Sequence, residues 1–183
     1  MDISFITGNP VKAETLSRLL GYPVSHRRLE LVEIQSLDLR EVVALKAREA
    51  YRAVLAPVLI EDSTLVFEGM GRLPGTLIKW FEQELGLEGL CRLADRHSSR
   101  AATGQVLYGL FDGTTLETFY GETRGHIADH PRGESGFGWD PIFIPEGYTR
   151  TRGEMTQQEQ QECSMRKVAL AKLQAFLVGT RPA

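Results

Sequence analysis

Residues 3–20 read ISFITGNPVKAETLSRLL, and this stretch decides the fold class. Ile3 to Ile6 is a short β-type run. It breaks at Thr7-Gly8-Asn9-Pro10, where polar and glycine residues punctuate the chain. Lys12 to Leu20 then carries helix formers, with Leu16, Leu19 and Leu20 on one face and Gly21 as the stop. The order is strand, glycine loop, helix.

The pattern repeats outward. Val24 to Val32 reads as a second strand, Leu39 to Ala53 as a helix, and Pro57 to Ile60 as an apolar strand followed at once by Glu61-Asp62-Ser63. Leu65 to Phe67 keeps β character. Leu77 to Glu84 and Glu88 to Arg96 read as two helices separated near Gly86. Arg100 to Phe111 and Thr115 to Ile127 form a hairpin about Asp112-Gly113. Residues 131–148 read as loop with a short strand at Ile142 to Ile144. Thr156 to Val178 is expected as one last helix, opened by a Thr156/Glu159 capping box. Strands alternating with helices, then a hairpin, predict an α/β fold with a mixed sheet in one domain, residues 1–183.

Composition narrows the function. The chain has 183 residues, 25% charged and 42% hydrophobic, so it is long enough to bury its own core. A net charge of −3 argues against retention on nucleic acid or anionic lipid by bulk charge. No apolar run approaches the ~18 residues of a membrane span. The N-terminus lacks the basic start and apolar core of a secretory signal. Two distant cysteines, Cys91 and Cys163, fit a reducing compartment. The expectation is a cytoplasmic protein bound to neither membrane nor nucleic acid.

Three stretches carry the chemistry. Thr7-Gly8-Asn9-Pro10-Val11-Lys12 lies where a helix N-terminus offers N–H groups and partial positive charge, with Lys12 adding a full one. It reads equally as a phosphate cradle or a plain turn. Glu61 and Asp62, placed at the C-terminal end of a strand, suit Mg²⁺ binding or water activation, or else a cap. Glu33 reaches towards the same edge; Glu41 belongs to the first turn of its helix. Ser135 to Pro141 (SGFGWDP) puts two aromatics about a glycine with an acid beyond: a stacking surface for a base with Asp140 as acceptor, or a packed turn with Trp139 in the core. His126 and His130 have the i, i+4 spacing of helical metal ligands, but the glycines and proline around them argue against a helix. Cys163, His26 and His97 carry no argument.

Taken in order, TGNPVK (7–12), EIQS (33–36), EDS (61–63), LPGTLIKWF (73–81), FGWDPIF (137–143) and SMRKVAL (164–170) resemble the inosine triphosphate pyrophosphatase family over almost the whole chain. The resemblance implies a long bent mixed sheet flanked by helices, with two lobes and a central cleft. It implies Mg²⁺-dependent hydrolysis of non-canonical purine nucleoside triphosphates to monophosphate and pyrophosphate, by a homodimer. Carried over by position, Thr7, Gly8, Asn9, Lys12, Lys46 and Lys79 would hold the triphosphate. Glu33 and Asp62 would serve the metal, with Asp62 also the general base. Ser63 would contact substrate, and Phe137, Gly138, Trp139 and Asp140 would form the base pocket. The last helix departs from the family's pattern: Gln160 and Met165 stand where a lysine and a histidine are usual, while Ser164 and Arg166 remain. Arg166 is expected to donate to a purine carbonyl, and discrimination for inosine over adenosine to be weakened. A nucleotide-binding or sensor protein with little turnover, or a pyrophosphatase of shifted base preference, is the alternative.

Overall fold

The computed structural model describes residues 2–179. Seven strands form one mixed sheet in the order β2-β1-β3-β5-β6-β7, with β4 paired on β3. The strands are β1 (Ser4–Ile6), β2 (Ser25–Arg27), β3 (Val58–Phe67), β4 (Pro74–Gly75), β5 (Ala101–Phe111), β6 (Leu116–Ile127) and β7 (Phe143–Pro145). The helices are α1 (Pro10–Leu20), α2 (Leu39–Val54), α3 (Ile78–Ala94), α4 (Gln157–Glu162) and α5 (Met165–Gly179). β1 pairs parallel with both β2 and β3, whereas β3–β4 and β6–β7 are antiparallel. The α/β fold with a mixed sheet is the one the sequence predicts.

The chain divides into two compact units. The first comprises Met1–Asp62, Val106–Gly121 and Arg166–Ala183; the second, Ser63–Gln105 and Glu122–Met165. Each has its own core. In the first, Val43, Ala47 and Ala50 of α2 pack on Val58 and Ile60 of β3, Ile6 of β1 and Leu107 of β5. In the second, Leu65, Phe67, Ile78, Leu90, Ala102, Ile127, Ile142 and Phe143 close around Cys91. Each buried Leu, Ile or Phe adds about 1.5–3 kcal/mol.

Local chemistry sets the ends of α1 and the kink in α3. Asn9 caps α1, its Oδ1 accepting from Val11 N–H at 2.9 Å, and Pro10 fills the first helical turn. Gly21 ends α1 at φ +61°, a conformation that favours glycine. Gly86, at φ +64° and ψ 176°, kinks α3 where two helices are predicted.

Three expectations are corrected. Val24 to Val32 is not one strand: β1 offers only Ser4, Phe5 and Ile6 as ladder partners, so β2 stops at Arg27. Val32 turns its N–H to the Glu49 carboxylate on α2 instead, at 3.0 Å. Glu61-Asp62-Ser63 does not follow a strand, because β3 runs unbroken from Val58 to Phe67. The edge belongs to β1, whose last residue, Ile6, is level with Ile60. The final helix is two, divided at Cys163-Ser164. The Cys163 carbonyl accepts from Thr123 Oγ1 at 2.8 Å and the Gln160 carbonyl from Arg152 Nη1 at 3.1 Å, in competition with the helical ladder. The Thr156/Glu159 capping box is present as expected.

Candidate functional site

Two constellations, one in each unit, hold nearly all the residues singled out by sequence. In the first unit, β3 and α2 build a charged cluster. Alternation along a strand places Val58, Ile60 and Asp62 on the face that α2 covers. Lys46 lies on the same stripe of α2 as Val43, Ala47 and Ala50. Its ammonium donates to Asp62 Oδ2 at 2.9 Å and to Glu33 Oε1 at 2.7 Å. Burial works to lower the Lys46 pKa, but Asp62 and Glu33 outweigh it and the net shift is upward. Lys46 thus stays charged and holds two carboxylates about one point.

On the opposite face of β3, Glu61 is fully buried. Its Oε1 accepts from Arg166 Nη2 at 2.9 Å and Nε at 3.3 Å, and pairs with Lys12 Nζ at 3.3 Å. Its Oε2 accepts from the Tyr108 hydroxyl at 2.9 Å. Burial alone would raise the Glu61 pKa; Arg166, Lys12 and Tyr108 overcome it and bring it down to about 2. Burial and the Glu61 charge push the Tyr108 hydroxyl well above its ordinary range. Tyr108 therefore remains a donor.

Glu61 connects α1, through Lys12, to the start of α5, through Arg166. Beside it, the Thr7–Asn9 turn is held by Thr7 Oγ1 accepting from Asn9 N–H at 3.1 Å and by His26 Nε2–H donating to the Thr7 carbonyl at 2.9 Å. A Cβ added at Gly8 would meet nothing within 4 Å. No protein atom requires glycine there, so the room lies open to a ligand.

In the second unit, the loop before β7 presents the aromatics. Asp140 is buried. Its Oδ2 accepts from Phe137 N–H at 3.0 Å and its Oδ1 from Arg152 Nε at 2.7 Å. Gly136 (φ +81°) admits this turn: a Cβ there would come within 2.2 Å of Asp140 Oδ2. Trp139 packs edge-on against Phe143, ring centroids 5.3 Å apart, and lies over Gly104 of β5 together with the Met165 sulfur. A Cβ on Gly104 would sit 2.9 Å from the indole. Gly104→Ala should therefore shift Trp139 and cost about 1–3 kcal/mol of overpacking. The expected result is a lower melting temperature and altered indole fluorescence; an unchanged spectrum would show that the indole does not depend on this contact.

Several expectations move. Arg166 is buried, and its Nε and Nη2 donate to Glu61. Met165 is buried, its sulfur beside Gly104 as is the Trp139 indole. Gln160 donates its amide to the Arg152 carbonyl at 2.6 Å. Asp140 has both oxygens engaged within the loop. Lys79 is exposed on α3, its Nζ 5.7 Å from the Trp80 ring centroid. Ser63 is half-buried in β3. Glu41 accepts from Ser36 Oγ at 2.6 Å in the first turn of α2. His126 lies in β6 and His130 in the turn beyond, so no helix joins them.

Sequence reasoning missed Tyr108, Arg152 and His26. Tyr108 stands out only as the single hydroxyl in the apolar run Val106–Leu110, and Arg152 only as the second of two cations, Arg150 and Arg152, before Gly153.

Among the described residues, no cluster of three or more His, Cys, Asp or Glu side chains could hold a metal by itself. The pair Glu33 and Asp62 is a different donor set. Mg²⁺ is a hard cation that takes one or two carboxylates, retains waters and shares phosphate oxygens with its substrate. Two carboxylates already gathered on one cation fit that requirement.

The chain is similar to known proteins along nearly all its length. The Ham1 family model matches residues 3–176. An inosine triphosphate pyrophosphatase of Schizosaccharomyces pombe is 36% identical over 179 residues, which are 96% of this chain and 94% of that protein. A HAM1 protein from Coxiella burnetii is 25% identical and superposes with a TM-score of 0.85, covering 98% of this chain and 100% of that one. A nucleoside-triphosphatase / dITP/XTP pyrophosphatase from Mycobacterium abscessus is 28% identical, with a TM-score of 0.77 over 94% of this chain and 98% of that one. The motifs, the mixed sheet and these likenesses agree, and the chain belongs to the Ham1 family.

Proposed function

We propose that the protein hydrolyses non-canonical purine nucleoside triphosphates, such as those of inosine and xanthosine, to the monophosphate and pyrophosphate, and so clears them from the nucleotide pool. The observation that carries this reading is the clasp of Asp62 and Glu33 on Lys46, in the same unit as the open turn at Gly8. The S. pombe relative bears the name of that activity.

Each group has a role. A triphosphate carries about four negative charges, and phosphoryl transfer is chiefly positioning and charge neutralisation. Thr7, Gly8, Asn9 and Lys12 take the phosphates at the N-terminus of α1. Glu61 fixes the ammonium of Lys12 there. Asp62, restrained by Lys46, orients a water and accepts its proton as the water oxygen attacks the α-phosphorus. The bond from that phosphorus to the bridging oxygen breaks, and pyrophosphate leaves with its electron pair. Glu33 and Asp62 would hold Mg²⁺, which when bound would supply charge neutralisation to the phosphates. Phe137 and Trp139 offer aromatic faces to the base. Lys79 supplies a further positive charge for the substrate, and Ser63 a hydroxyl.

The reading extends, on family resemblance, to Mg²⁺ as the cation and to a homodimer. For a cytoplasmic location it also draws on two free cysteines. Pyrophosphate release across a panel of canonical and deaminated triphosphates, with and without Mg²⁺, tests the central claim. Binding without release would make the chain a nucleotide-binding or sensor protein instead. Lys12→Ala should weaken every triphosphate of the panel by a similar factor, about ten-fold or more for a lost charged contact. A loss confined to one base would remove Lys12 from the phosphate site.

A further inference from the structure

Arg152 is a cation bonded to the aromatic loop of the second unit, and its bonds leave Nη2 unspent. The guanidinium carries five N–H donors in a rigid plane. Nε donates to Asp140 Oδ1 at 2.7 Å. Nη1 donates to the Gln160 carbonyl at 3.1 Å and to Cys163 Sγ at 3.4 Å. The Arg152 carbonyl accepts the Gln160 amide in return. Nη2 has no hydrogen-bond partner among the described residues. No buried side-chain nitrogen or oxygen among them lacks a partner, so Nη2 is not fully buried. The side chain as a whole is largely covered, at 12% exposure.

The fork geometry says where Nη2 looks. In a guanidinium, Nε–H and one Nη2–H leave the same edge in parallel, the arrangement that grips a carboxylate bidentately. Here Asp140 receives only Nε, because its second oxygen is taken by Phe137 N–H. Nη2 therefore keeps donors to spare on the edge that faces Asp140 of the ring-bearing loop. Three attachments fix the group in place, so the donors are preorganised and charged. Asp140, meanwhile, has both oxygens engaged and offers no ready acceptor to an amino group.

We propose that Arg152 is a specificity-determining residue, whose Nη2 donates to a carbonyl oxygen on a purine ring stacked at Phe137 and Trp139. This rests on the function proposed above and names the group that reads the base. A hydroxypurine brings a carbonyl acceptor at its six position. Adenine brings an amino donor there, which would face a cation and leave the Nη2 donors unmatched. A site built to hydrogen-bond one group rejects the analogue lacking it. Arg166 spends its Nε and Nη2 on Glu61.

The test uses the full chain with Mg²⁺. The readout is the ratio of kcat/KM for inosine triphosphate to that for adenosine triphosphate, in the unmodified protein, Arg152→Gln and Arg152→Lys. A charge-assisted bond of this kind corresponds to about ten- to a hundred-fold. The expected result is a fall of that size in the ratio for Arg152→Gln, borne by KM for the inosine substrate. Arg152→Lys keeps the pair with Asp140 but not the planar fork, and should lower the ratio while leaving the melting temperature close to that of the unmodified protein. A purely structural Arg152 would, when replaced, disorder the loop and slow both substrates alike. An unchanged ratio in Arg152→Lys, or in Arg152→Gln where that variant folds, overturns the proposal. If the unmodified chain releases no pyrophosphate from any triphosphate, the functional reading itself fails and this inference with it.

Discussion

Asp62→Asn should cost roughly a hundred-fold or more in kcat, the scale of general acid–base catalysis. The change is nearly isosteric, so the fold should hold. Asparagine can still accept from Lys46, but it carries no charge for a cation and takes no proton from water. Losing the carboxylate also leaves Lys46 with Glu33 alone, which is about half exposed. The proper measurement is single-turnover pyrophosphate release at saturating substrate, alongside a thermal melt. Near-normal turnover would take Asp62 out of the mechanism. A variant with normal melting, slow chemistry and retained triphosphate binding is the expected pattern.

Glu61→Gln should have the largest effect on stability. Glu61 is wholly buried and answers two cations, Lys12 and Arg166, as well as the Tyr108 hydroxyl. Neutralising it leaves two positive charges facing one amide in a covered place. Removing one partner of a buried ion pair costs about 3–5 kcal/mol, and for a chain of this size that lowers the melting temperature by roughly 10 °C. Activity should fall too, since Lys12 loses its anchor.

The same residue sets an acid limb. The folded carboxyl titrates near 2, below its ordinary value of 4.5, so between these values the unfolded chain binds the extra proton. Stability from Glu61 is complete above about pH 4.5 and is lost as the pH falls towards 2. The shift amounts to about 3 kcal/mol. Urea unfolding at pH 6 and pH 3 should show about 2 kcal/mol of this loss in the unmodified protein, and a smaller one in Glu61→Gln. Equal pH dependence in both would mean that other carboxylates carry the limb.

Much of this was legible in the sequence because local rules were obeyed. The run from Ile3 to Leu20 announces strand, turn and helix through an apolar burst, an Asn-Pro start and a glycine stop, and all three form. Gly86 and the Asp112-Gly113 turn likewise act where they stand. What was not legible depended on partners distant in the chain. Val24–Val32 has β-type residues, but strand length is set by the three-residue partner β1. Glu61 and Asp62 are adjacent and chemically alike, yet pleating sends one to Lys12 and Arg166 and the other to Lys46. Nothing in their order says which is buried. Arg166 reads as a free donor until Glu61, 105 positions earlier, is seen to hold it.

The interruption at Cys163-Ser164 has a consequence for how the chain tolerates length changes. In an unbroken helix each residue advances the azimuth by about 100°, so one insertion rotates every buried side chain beyond it out of its socket. Here α4 ends at Glu162 and α5 starts afresh at Met165, and the boundary between the two units falls just beyond the joint, between Met165 and Arg166. The angular phase of Ala169, Leu170, Leu173 and Leu177, all buried, is thus set by α5's own packing and is not inherited from α4. A glycine inserted between Cys163 and Ser164 should be absorbed at the joint. The same insertion between Leu170 and Ala171 should turn Leu173 and Leu177 towards water and unfold the helix.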